Sequence, residues 1–283
     1  VEPATTNSYI SNLSGIDNDR FRMRIEGNLI MNAYNGSRNY PLAAMRNENH
    51  RIDINGILIK AAGSTGYVRR IHIHNNVIKN IGFKSSGGQQ GKRSPNDWVA
   101  KAHAIWMRGA LEVHVTNNTM SHTLSGGINF GGCRDVLVKD NTISHTGLSR
   151  IYREDARLVS DGITAYKNRA TIYSGLYASR PENFRIFGNT ITNSWNNGIH
   201  TSGNSVTIKD NTVTGQMFAA IYHGHIARNS KGEIIEVDPM VNVSIKGNQV
   251  TRGRSTRPEG QRRVFLRKPS GHRNVQVKWN RNL

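Results

Sequence analysis

The hydrophobic residues of this chain alternate with polar ones in short runs. VRRIHIH (68–74), LEVHVT (111–116), VLVK (136–139), VTIK (206–209) and VSIK (243–246) all place an apolar side chain at every second position. A period of two marks a β-strand with one face in a core, and nothing in these runs has the 3.6-residue period of a helix. Each run leads into an Asn, and two residues beyond the Asn stands an aliphatic residue or Met. The series is Asn28, Asn76, Asn118, Asn141, Asn189, Asn211 and Asn248, with Asn280 as a looser eighth match. The shortest gaps are 22 residues (Asn189 to Asn211) and 23 (Asn118 to Asn141), and the longer gaps are that unit plus an insertion.

A second signature recurs in each unit, a pair of small residues followed by Ile, as in AHAIWMRG, SGGINFGG, SDGITAYK, NNGIHTSG and FAAIYHGH. Self-similarity near 22 residues predicts a solenoid, in which each coil rests on its neighbours and the chain lengthens without enlarging a globular core. Each coil is read as three strands. The small-small-Ile segment is the first, the alternating run before the Asn is the second, and the segment after the Asn is the third. Asn suits the intervening turn because it tolerates left-handed backbone and its amide can bond to the coils above and below. The 283 residues form one elongated domain, 1–283, with no linker and no apolar run long enough to span a membrane.

This arrangement resembles the right-handed parallel β-helix of the pectate-lyase-like superfamily, with its Asn ladder between the second and third strands. The resemblance implies an all-β, single-stranded parallel β-helix of about seven to eight coils. It also implies loop insertions flanking a carbohydrate groove along the first strands. Polysaccharide lyases of the alginate-lyase kind and polyuronate C5-epimerases share that architecture, as do hydrolases and adhesins, so the fold alone does not choose among them. The Asp-Pro-His-Asp motif of the alginate C5-epimerases is missing here.

If the Ile of each first strand faces the core, the next residue faces out. One outward column then reads Leu58, Trp106, Asn129, Thr164, His200, Tyr222 and Phe265. A second, two residues on, reads Lys60, Arg108, Gly131, Tyr166, Ser202, Gly224 and Arg267. Insertions at 82–99, 147–160, 167–182 and 226–240 interrupt the coils beside this face, and several carry cations or aromatics, Tyr173 and Tyr177 among them. Long loops on a rigid scaffold commonly shape binding sites.

β-Elimination from a polyuronate needs the sugar carboxylate neutralised, a base for the C5 proton and an acid for the departing oxygen. Arg108 and Asn129 suit neutralisation, while Tyr166, His200 and Tyr222 suit proton transfer, with Tyr166 and His200 as the first-ranked pair. Lys60, Trp106, Lys167, Ser202, His225, Arg267 and Lys268 are the expected substrate-binding residues. The bland alternatives are sugar-stacking platforms and surface ion pairs. No cofactor is required by this chemistry. If a divalent cation such as Ca²⁺ or Mg²⁺ takes part, Asp161 is the nearest carboxylate, but such ions want several oxygen ligands. His223 alternates inward and reads as a satisfied buried His. His72 and His114 stack on the outer face of the second strands, as a structural ladder or as the groove edge, and His122 and His145 recur in duplicated Ser-His-Thr turns as features of the repeat near the groove rim.

Charge narrows the partner. The chain carries 38 Lys and Arg against 19 Asp and Glu, a net +19, which points to a polyanion. An acidic polysaccharide is the expected partner; nucleic acid is disfavoured because no recognition motif is present. Lys139, Lys209, Lys246 and Lys278 share one column with His74 and Thr116 before the Asn turn. They either attract a polyanion or keep the stacked turns soluble. Paired carboxylates for a glycoside hydrolase are absent from the columns. One cysteine, Cys133, rules out an intrachain disulfide. The chain opens on VEPATTNS rather than Met, which fits removal of a signal peptide or the edge of a longer sequence. The expectation is a secreted or periplasmic monomer: a lyase first, an epimerase second, a non-catalytic adhesin third.

Overall fold

The computed structural model describes residues 9–10, 23–31, 55–61, 68–81, 103–123, 126–147, 176–179, 182–224, 226–228, 234–237, 241–254, 263–266, 273–278 and 280–282. Within them the chain winds through eight coils of three strands each. The first strands are Tyr9–Ile10, Ile57–Lys60, Ile105–Arg108, Ile128–Gly131, Leu176–Ser179, Ile199–Thr201, Ile221–His223 and Val264–Leu266. They form one eight-stranded sheet, and the second and third strands of the coils form two more. Every pair of neighbours in these three sheets is parallel and joins one coil to the next. This is a parallel β-helix, as the sequence predicts. The insertion at 226–240 holds a small antiparallel pair, Ile226–Arg228 with Ile234–Val237.

The core is a set of stacked inward columns. Ile105, Ile128, Ile199 and Ile221 line it from the first sheet, Val113, Val136, Phe184 and Val206 from the second, and Met120, Ile143, Ile191 and Val213 from the third. All twelve have no exposed surface. The small residues before each first-strand Ile are required by close approach. A Cβ on Gly56 would fall 2.6 Å from both Ala104 O and Ile78 Cγ2, and one on Gly198 would overlap Val213.

The Asn series forms a continuous ladder. Each amide nitrogen donates to the Oδ1 of the next Asn, from Asn28 to Asn76, Asn118, Asn141, Asn189, Asn211, Asn248 and Asn280, at 2.9 Å throughout. The same Oδ1 also accepts the backbone N–H of the preceding Asn, for example Asn118 N to Asn141 Oδ1 at 3.0 Å. The amide nitrogen further meets two carbonyls at the turn, such as Val115 O and Lys139 O for Asn141. The residue just before the ladder takes left-handed backbone in each turn: Asn75, Asn117, Asp140, Gly188, Asp210 and Gly247. These residue types tolerate that conformation best.

Two histidine pairs extend the stacking idea to the outer surface. His72 and His114 lie with centroids 4.8 Å apart, and His122 and His145 with centroids 4.7 Å apart and planes 7° from parallel. Burial holds His114 below the usual imidazole range, with the charges of His72 and Arg185 adding to it. Burial does the same for His122, with His145 adding to it.

Two outcomes follow. Asn141→Ala removes the acceptor of two Asn118 donors and orphans buried carbonyls on both sides. It should cost about 3 kcal/mol or more in denaturant unfolding, whereas Asn28→Ala, exposed at the first coil, should cost less than about 1. For the histidines the folded pKa lies below the unfolded one, so the unfolded chain binds protons that the fold refuses. Stability should therefore fall as pH drops through about 6.5 and be level above it. Thermal melts should show that slope, and His114→Gln with His122→Gln should flatten it.

Candidate functional site

The register of the first sheet sets the site. Leu58, Trp106, Asn129, Tyr177, His200, Tyr222 and Phe265 lie directly opposite one another on successive coils. Two positions on run Lys60, Arg108, Gly131 and Ser179. One member of each predicted column is thus corrected. The first strand of the coil between Asn129 and His200 is Leu176–Ser179, not the segment around Ile163. Tyr177 stands where Thr164 was expected and Ser179 where Tyr166 was expected. Spacing explains it. Ile105 and Ile128 each precede their ladder Asn by thirteen residues, as Leu176 precedes Asn189, so Leu176 closes a coil with nothing left over. Tyr166, Lys167, Asp161, His225, Arg267 and Lys268 lie outside the described residues.

The column is less open than alternation implied. Trp106 is 8% exposed, and Asn129 and His200 are each 6% exposed, while Ser202 is buried, Tyr222 is half-buried and Arg108 and Lys60 are exposed. Replacing His200 therefore disturbs packing as well as chemistry, because this side chain is packed and bonded. His200 and Tyr222 have ring centroids 4.4 Å apart. Arg108 lies directly opposite Gly131 on the next coil. His223 is fully buried on the inner face, its Nδ1 2.7 Å from Thr201 Oγ1, as its inward direction required.

Three residues that the sequence reading passed over hold this site in place. Asn55, His103 and Asn197 each precede the small residue before a first-strand Ile, and each accepts a backbone N–H from the following coil. His103 N donates to Asn55 Oδ1 at 3.1 Å, Gly126 N to His103 Nδ1 at 3.0 Å, and Ala219 N to Asn197 Oδ1 at 3.1 Å. The signal was a polar residue at that position in NGI, HAI and NGI, visible once the first strands are stacked.

These bonds fix protons. Asn197 offers its oxygen to Ala219, so its amide nitrogen, 3.3 Å from His200 Nδ1, is the donor there. Nδ1 of His200 then carries a lone pair, and its proton sits on Nε2. Likewise His103 Nδ1 accepts from Gly126, so Nε2 holds the proton. The Asn129 amide nitrogen lies 3.4 Å from that Nε2. His103 and Trp106 are near neighbours, with ring centroids 6.5 Å apart.

Other chemistry is limited. Burial pushes the lone Cys133 thiol up to about 11, so it is no nucleophile at neutral pH. Among the described residues no group of three or more His, Cys, Asp or Glu is disposed to hold a metal ion.

The family described as the right-handed β-helix region matches residues 4–225 and 103–256, overlapping spans that together take in most of the sequence. The chain belongs to that family. The right-handed β-helix protein matches no curated protein. Among solved structures it is similar to the Streptococcus pneumoniae surface protein and adhesin PfbA. The two are 14% identical, the match covers 74% of this chain and 52% of that one, and the TM-score is 0.46. This β-helix chain thus spans about half the length of that structure.

The tautomer assignment is open to direct test. Long-range ¹⁵N–¹H spectra should show His200 as the Nε2–H tautomer at neutral pH, and Asn197→Leu should populate Nδ1–H as well. An Nδ1–H signal in the unaltered protein would overturn the assignment.

Proposed function

We propose that the first-sheet column is the active site of a polysaccharide lyase acting on an alginate-like polyuronate outside the cytoplasm. The observation that carries this reading is the His200–Tyr222 pair, 4.4 Å between rings, on the same sheet column as Asn129, with Arg108 further along it. A purely adhesive surface has no need to fix the tautomers of two histidines.

The roles follow from the protons. Neutral His200 presents Nε2–H, so it donates a hydrogen bond rather than taking a proton. It stabilises the charge that builds on the sugar carboxylate as the C5 proton leaves, while Asn129 and Arg108, two and three coils along the sheet, bind neighbouring sugars. Tyr222 is then the proton carrier. Its oxygen carries the C5 proton to the departing O4 as the C4–C5 double bond forms and the C4–O4 bond breaks. Trp106 and Lys60 extend the binding surface toward the first coils. Binding should be driven largely by charge.

Incubation with alginate and polygalacturonate, followed by near-ultraviolet absorbance, tests the reaction class, because elimination creates a double bond conjugated to the carboxylate. Tyr222→Phe should lower kcat by about 10²-fold or more. His200→Gln, which retains a donor, should keep more activity than His200→Ala. No absorbance change with any polyuronate, together with altered sugar stereochemistry by NMR, would instead indicate an epimerase. A Tyr222→Phe variant with wild-type kcat would remove Tyr222 from proton transfer.

A further inference from the structure

A second cationic surface lies away from the first sheet, along the turn that carries the Asn ladder. The last residues of the second strands stack in register as Lys139, Phe187, Lys209, Lys246 and Lys278. The column contains its own comparison. Lys139 is paired with Asp140 at 3.3 Å and Lys209 with Asp210 at 3.0 Å, each with the carboxylate one residue on. The residue after Lys246 is Gly247, and Lys246 and Lys278 have no ion pair among the described residues. Both are exposed, as is Arg281, which stands with Lys278 on either side of Asn280. The wider sequence follows the same trend. Residues 241–283 hold eleven Lys and Arg and a single Glu, more than half of the chain's net +19.

Like charges directly opposite on neighbouring strands repel. The first two lysines of this column have local carboxylates to relieve that; the last two do not. Their order also matters. Neighbouring strands repeat at about 4.8 Å, and a polyuronate carries one carboxylate per sugar at a repeat close to that. A polymer laid parallel to the solenoid axis would put successive carboxylates opposite Lys209, Lys246 and Lys278. The flanking third-strand positions are Thr212 and Gln249, which can hydrogen-bond sugar hydroxyls, whereas single-stranded nucleic acid would want a run of aromatic platforms. Phe187 is the one aromatic residue in the column among the described residues.

We infer that the ridge of Lys246, Lys278 and Arg281 is an anchoring site for an acidic polysaccharide, separate from the first-sheet column. The inference shares its class of polymer with the proposed function but not its site. Weakened binding in the ridge variant without any cleavage by the parent leaves it standing, and cleavage by the parent with wild-type binding in the ridge variant removes it.

The test is equilibrium binding of the full chain to long alginate, by affinity electrophoresis and titration calorimetry at several salt concentrations. Lys246→Glu with Lys278→Glu should weaken binding by about tenfold or more, given the usual worth of a lysine near an anionic surface. The log–log salt dependence should become shallower by about one per lysine. Lys139→Glu, whose native charge is already met by Asp140, should change affinity by less than about twofold, a far smaller loss than the ridge pair. The double variant exchanges one pair of like charges for another while gaining an opposite charge across from Lys209, so its melting should change little; should it fail to fold, Lys246→Gln with Lys278→Gln takes its place. Turnover of a short oligouronate should be unaltered. The inference is overturned by wild-type alginate affinity in the double variant, or by an equal loss in Lys139→Glu, which would mean net charge alone. It is also overturned if an oligodeoxynucleotide of matched charge binds the ridge more tightly than alginate.

Discussion

Every feature of this molecule depends on the amide-to-amide hydrogen bond between Asn residues of adjacent coils. A turn that leaves the second strand, adopts left-handed backbone and enters the third strand strands several polar groups in a buried place. Unmet, each would cost about 1–3 kcal/mol. The ladder meets them with one side chain per coil. Asn76, Asn118, Asn141, Asn189, Asn211 and Asn248 are all essentially without solvent exposure, yet their amides find partners above, below and within the turn. Because the bond needs the two Asn residues in the same angular position, it fixes how each coil sits on the next. The columns of the other two sheets inherit that register.

Much of this was legible in the sequence because the constraint repeats. An Asn between two alternating runs reads the same way in every coil, so its context could be checked seven times over. Inward Ile and Val positions were legible for the same reason. The strand Leu176–Ser179 was harder to see because a decoy, SDGITAYK, matches the small-small-Ile signature better than SGLYAS does. Coil geometry, not local pattern, chooses between them, and thirteen residues from Leu176 to Asn189 close a coil where twenty-six from Ile163 overshoot it.

The site was legible in outline and not in its chemistry. Alternation placed His200 and Tyr222 on the same face, and their rings meet. It said nothing of how much of Asn129, His200 and Trp106 is covered, since burial comes from parts of the chain far off in sequence. Nor did it show which nitrogen of His200 holds the proton. That depends on Asn197, which depends on Ala219 one coil further on, and a contact between coils has no signature in either residue alone. His103 and Asn129 are linked in the same way.

The ladder also has a direction. In each ladder bond from Asn28 to Asn280 one amide N–H points toward the C-terminal coil and the accepting oxygen toward the N-terminal one, while the amide nitrogen also turns back to a carbonyl of the preceding coil. Seven such bonds lie head to tail. As in an α-helix, where aligned peptide dipoles leave partial positive charge at the end toward which the N–H groups point, the row ends positive beside Asn280. Lys278 and Arg281 stand at that pole, so fixed dipoles and formal charges reinforce one another, and the solenoid presents an electrically polar rod whose two ends an anionic polymer would tell apart.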